Sequence, residues 1–142
     1  MRFVLYALLA LALPLFGGGF YLEVGAPGNV KDAVLIARLT GCHQAELGKL
    51  QAAAEGVVNG KRQTLPLQIT TLPDAGTYAI KQQWPSEGRW VLHLTATHPT
   101  FPKPTETVIA VSGSTFTREG AIYTGGQREV TPAQLNAMLQ VK

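Results

Sequence analysis

Residues 89–97 read Arg89-Trp90-Val91-Leu92-His93-Leu94-Thr95-Ala96-Thr97. Trp90, Leu92, Leu94 and Ala96 fall on one side of this run; Val91, His93, Thr95 and Thr97 fall on the other. A repeat of two is the period of a β-strand, in which successive side chains point to opposite faces. The same period recurs upstream. Leu50, Ala52 and Ala54 fall on one face with Gln51 and Glu55 on the other, and Leu65, Leu67 and Ile69 alternate with Thr64, Gln68 and Thr70. Between these two stretches lies Asn59-Gly60, the pair that tolerates positive φ in a two-residue hairpin turn. That turn predicts Ala54 opposite Leu65, Ala52 opposite Leu67 and Leu50 opposite Ile69, with every apolar partner on one face. Pro66 has no N–H and belongs where no ladder bond is needed, at an edge.

Further out the pattern persists. Ala33 to Thr40 is a short aliphatic run closed by Gly41, which reads as a buried strand. Thr77 to Gln82 follows the turn residues Pro73 to Gly76, and Thr105 to Val111 forms another strand. His98 to Pro104 carries three prolines and predicts an irregular connection. Glu119-Gly120 predicts a terminal hairpin joining 115–118 to 121–124. Thr131-Pro132 supplies an N-cap and a proline at the first helical position, and Leu135, Met138 and Leu139 share one helical face. A short helix over 132–140 therefore closes the chain. Seven to nine closely spaced strands with one terminal helix predict an all-β antiparallel sandwich.

The chain's ends and composition bound its setting. Only 15% of the 142 residues are charged, against about 25% in an average globular domain. Arg2 is followed by an uncharged stretch, Phe3 to Phe16, and by Gly17-Gly18-Gly19. Basic start, apolar run and small residues are the order of an export signal. Residues 1–19 are therefore expected to be a signal peptide or, uncleaved, a membrane-anchoring helix, with 20–142 a single domain outside the cytoplasm. Leu39-Thr40-Gly41-Cys42 spells a lipobox, but Lys31, Asp32 and Arg38 separate it from the apolar run. The net charge of +3 is scattered, which excludes the basic stripe of a nucleic-acid binder. A single cysteine excludes an internal disulfide framework, though an odd thiol can link two copies.

The run Gly76-Thr77-Tyr78, through Pro85 and Gly88, to Trp90, Leu92 and Leu94 resembles a pattern in exported bacterial immunoglobulin-like domains of the FixH and YtkA-like families. The resemblance covers Gly76 to Leu94. It implies an immunoglobulin-like β-sandwich, exported or membrane-anchored, sometimes linked to copper handling or oxidase assembly, with no catalytic residues.

Metal-ligating side chains are few. Cys42, His43, His93 and His98 are the candidates, with Met138 as a remote thioether. Their spacing has no paired cysteines and no His-x-His, so scattered structural histidines are the preferred reading. Ser112-Gly113-Ser114 lacks the spacing of a nucleophile elbow. Glu106 and Glu119 are expected to be solvated, and Lys61-Arg62 to be a charged hairpin tip. Trp84 is expected to close one end of the sandwich, the other reading being a ring offered to a sugar or partner. No residue is assigned a catalytic or cofactor-binding role. The expected function is a non-enzymatic binding or assembly module of the bacterial cell envelope, with another envelope protein as partner. A periplasmic copper-handling protein is the alternative, and a small envelope hydrolase the third.

Overall fold

A computed structural model describes residues 19–41 and 44–140. The expected export or anchor segment lies outside the described residues except for Gly19, and so do Cys42 and His43. The strands are β1 (Phe20–Gly25), β2 (Ala33–Gly41), β3 (Lys49–Val58), β4 (Lys61–Pro66), β5 (Thr70–Thr71), β6 (Thr77–Lys81), β7 (Arg89–His98), β8 (Phe101–Ser112) and β9 (Thr115–Tyr123). One 3-10 turn, Ala45–Leu47, precedes β3, and one helix, α1 (Pro132–Gln140), follows β9. The strands form two antiparallel sheets, ordered β1-β2-β6-β5 and β4-β3-β7-β8-β9. Among the described residues no helix is long and apolar enough to cross a membrane.

The core lies between the sheets and draws on both. Phe20, Leu22, Val34, Leu35, Leu39 and Ile80 come from the first sheet, and Ala54, Trp90, Leu92, Leu94 and Ile109 from the second. Each fully buried aliphatic side chain contributes roughly 1.5–3 kcal/mol. The inner faces of β3 and β7 are matched by size. Ala52 pairs with Leu94, Ala54 with Leu92 and Gly56 with Trp90. A methyl group at position 56 would sit 2.3 Å from Trp90 Cε3, so only a bare glycine leaves room for the indole. The Trp90 ring is held from its other end by a 2.9 Å bond from Nε1 to the Glu87 carbonyl.

At Val91, β7 is covered on its outer face as well. Val91, on the side away from Trp90, packs with Val108 beneath Leu135 and Leu139 of α1. The helix begins as its sequence predicts. Thr131 Oγ1 accepts from the Gln134 N–H at 3.2 Å, and Gln134 Oε1 accepts from the Thr131 N–H at 3.0 Å, which is a reciprocal capping box. Arg89 Nη1 donates to the Leu139 carbonyl at 3.1 Å, satisfying an acceptor at the other end of the helix. Arg62, at the β4 start, bonds Asn136 on the same helix.

The Asn59-Gly60 turn forms as expected, with φ of 50° and 73° at its two central residues. Ala54 faces Leu65, as the turn requires. The predicted Leu50–Ile69 pair does not form. β4 ends at Pro66, Leu67 gives one bond to the Ala52 carbonyl, and the chain then crosses to the other sheet. Pro66 stands on an edge strand.

Two other expectations are corrected. The proline-rich stretch is a tight hairpin, not an irregular connection: His98 pairs with Phe101 across Pro99-Thr100, and Pro102 and Pro104 lie inside β8. They fit because β9 pairs only with Thr107 to Ser112, so this end of β8 has an unladdered flank. Glu119-Gly120 is a bulge within β9, not a hairpin turn. Ile109 alone is set against Arg118 to Ala121, and Gly120 takes a φ of 74°. β1, which the sequence reading does not single out, is a core strand, with Phe20, Leu22 and Val24 buried and Tyr21 and Glu23 outside.

Replacing Gly56 with Ala is expected to lower stability by about 1–3 kcal/mol, and Leu92 with Ala by about 2–5 kcal/mol. Urea unfolding followed by tryptophan fluorescence measures both. A Gly56→Ala midpoint equal to that of the parent chain would refute the size matching.

Candidate functional site

The chemistry-bearing side chains fall in separate places. His93 leaves β7 on the face away from the inter-sheet core, and its Nε2 lies 2.8 Å from Glu106 Oε1 on β8. Glu106 is buried, 6% exposed, which corrects the expectation of a solvated acid. Its second oxygen accepts the Val130 N–H at 2.6 Å, and its own N–H donates to Thr124 Oγ1 at 2.8 Å. The Thr124 N–H returns a 3.0 Å bond to the Glu106 carbonyl. One residue therefore ties β8 to both ends of the segment between β9 and α1. A buried carboxylate costs several kcal/mol unless its oxygens are bonded, and here both are. Glu119 is exposed in the β9 bulge, as expected.

His98 faces the opposite way, into the core. Its ring lies 5.0 Å from Phe20 and 5.3 Å from Phe101, centroid to centroid. Nδ1 accepts the Thr100 N–H at 3.1 Å, and Nε2 faces the Gln44 carbonyl at 3.1 Å. A backbone N–H can only donate and a carbonyl can only accept, so the ring carries its proton on Nε2. Its one lone pair is spent on Thr100, leaving none for a metal. His93 and His98 sit roughly 16 Å apart along the strand and on opposite faces, so no ion contacts both. Cys42 and His43, the other copper candidates, lie outside the described residues. Trp84 is 3% exposed and donates from Nε1 to the Gly113 carbonyl at 3.0 Å, so it closes the end of the core and offers no ring to a ligand.

A groove of about 560 Å³ opens beside His93. It exists because β4 covers β3 only from Ala53 onward. Its walls are Gln51, Ala53, Thr64, Pro66, His93 and Thr95 on the outer face, with Leu50, Leu67 and Ile69 at the edge. Lys49 to Gln51 have no ladder partner on that flank among the described residues. Thr64 spends its hydroxyl on Glu55 Oε2 at 2.8 Å, and no hydroxyl among the described residues bonds the His93 ring. The His93–Glu106 pair thus has the geometry of a brace, with no nucleophile in contact with it. The groove and the brace are not visible in local sequence. Glu106 finds its partners 13 and 24 residues away, and nothing in its neighbours announces them.

No protein-family model, no curated protein and no solved structure matches the chain.

Glu106→Ala leaves the Val130 amide without its acceptor and the His93 ring without its partner. The expected cost is about 1–3 kcal/mol. Hydrogen exchange of the Val130 amide and of α1 should accelerate, while the amides of β2 and β6 keep their protection. Unchanged exchange at Val130 would show that the carboxylate does not hold this segment.

Proposed function

We propose that the chain is a non-catalytic binding or assembly module of the bacterial cell envelope, built on an immunoglobulin-like β-sandwich. The strand order supports the fold assignment. Reading β1, β2, β6 and β5 as A, B, E and D, and β4, β3, β7 and β8 as C′, C, F and G, reproduces the two immunoglobulin sheets, with β9 and α1 as additions. The resemblance of Gly76–Leu94 to the FixH and YtkA-like families points the same way. That run crosses from β6 to β7, with Trp90 buried and Tyr78 packed against the core. The export-like order of residues 1–19 supports a location outside the cytoplasm.

The observation that carries the non-catalytic reading is the internal use of every described histidine and of the buried acid. His93, His98 and Glu106 all have intramolecular partners, and none faces a second reacting group. The open feature is instead the uncovered flank of β3, where a partner's strand can extend the sheet by main-chain hydrogen bonds. Among the described residues no geometry favours copper handling, because His93 and His98 do not converge.

Two measurements test this. A photo-crosslinking residue at Gln51 is expected to trap one discrete envelope protein in intact cells, and the same residue at Asp74, away from the groove, is not. Equal or absent capture at both positions overturns the reading. Titration of the purified chain with Cu(I) and Cu(II) is expected to show no saturable binding that the His93→Ala, His98→Ala pair abolishes. Such binding would restore the copper alternative.

A further inference from the structure

We propose that the cleft between β1 and β9 binds an oligosaccharide chain. This goes beyond the binding-module reading, because it concerns a different face and a different class of ligand. The large apolar side chains most open to solvent among the described residues are Tyr21 at 50%, Leu47 at 51% and Tyr123 at 47%. Two of these three, Tyr21 and Tyr123, line the same cleft of about 500 Å³. They come from different sheets, one from each rim. Rings left half bare in a concavity suit the C–H faces of pyranose rings, which are apolar but carry hydroxyls around their edge.

The polar groups match such a ligand. Glu23 and Arg118 line the cleft with the tyrosines. Among the described residues, neither phenol hydroxyl, nor the Glu23 carboxylate, nor the Arg118 guanidinium forms a hydrogen bond within the chain. Arg118 is placed over the Phe116 ring, 5.8 Å from its centroid, at the start of the β9 bulge that turns it outward. An acceptor, a donor and two hydroxyls are thus left for sugar hydroxyls, which both give and take hydrogen bonds.

The shape calls for a chain rather than one sugar. A second trough of about 270 Å³ shares Tyr21 and Gly125 with the first and continues past Lys103 and Gln127. The two hollows meet at Tyr21 and Gly125, so a ligand longer than one sugar can reach from one to the other. An extended peptide fits less well, since Thr107 Oγ1 already donates to the Leu22 carbonyl at 3.4 Å and occupies part of the β1 edge. The cleft binds without cutting. Glycoside cleavage uses a pair of carboxyl groups, and of the two acids in the lining Glu106 is turned to His93 and Val130.

Calorimetric titration of the purified chain with chitohexaose, cellohexaose, xylohexaose and an oligogalacturonate tests the proposal. At least one probe is expected to bind saturably, with a Kd of about 10–1,000 µM. Tyr21→Ala and Tyr123→Ala are each expected to weaken it about tenfold or more, the loss of roughly 1.4 kcal/mol. Tyr21→Phe keeps the ring and should retain most of the affinity, and Leu47→Ala, outside the cleft, should bind like the parent. Thermal melts confirm that each variant is folded. No saturable binding to any of the four probes overturns the proposal, as does binding that both folded alanine variants leave intact. Capture at Gln51 is read independently, so loss of one reading leaves the other measurable.

Discussion

The size ladder between β3 and β7 is the constraint on which the rest of the molecule depends. Ala52, Ala54 and Gly56 give up side-chain volume so that Leu94, Leu92 and Trp90 can occupy it. This keeps the inner surface of the second sheet level, and the first sheet can then lie close against it. Interiors are packed to the density of organic crystals, so volume removed on one strand must reappear on its neighbour. The pairing is also directional. Shifting β3 by one residue against β7 would bring Gln51 and Glu55 inward and set side chains against the indole.

The outer face of the same sheet is divided between apolar cover and polar bracing. α1 shields Val91 and Val108 at one end, and Glu106 anchors the segment leading to it at the other. Beside them lies the bare flank of β3 that β4 abandons at Pro66. Function is therefore sought at edges and clefts, where main chain or aromatic faces are available, and not in His93, His98 or Glu106. These have been drawn into the architecture, His98 most completely, with both ring nitrogens fixed by backbone.

Strands with clean alternation and turns with specific chemistry were legible directly. Trp90 to Ala96, Asn59-Gly60 and Thr131-Pro132 each carry a local cause for their conformation. The misreadings have physical reasons too. Glycine after a polar residue serves a bulge as well as a turn, so Glu119-Gly120 is ambiguous until the partner strand is in place. Prolines disrupt a strand only where their missing N–H is wanted, and the open flank of β8 is a tertiary fact. β1 alternates, yet its first residues closely follow the apolar run Phe3 to Phe16 and read as its continuation. Glu106 looks like any strand acid because its partners lie far along the chain. The tyrosine cleft was the least legible of all, since its two rings come from opposite ends of the sequence.

The contact between Leu22 and Thr107 joins residues 85 positions apart. It makes β1, the first strand among the described residues, one of the last to find its full surroundings. β1 can dock on β2 early, but Phe20 must wait for His98 and Phe101, 78 and 81 residues further along the chain. Folding dominated by such distant closures is slow, and it leaves a greasy edge unguarded in the interval. In a chain of this topology the inter-sheet core closes only once β7 and β8 are in place to receive β1.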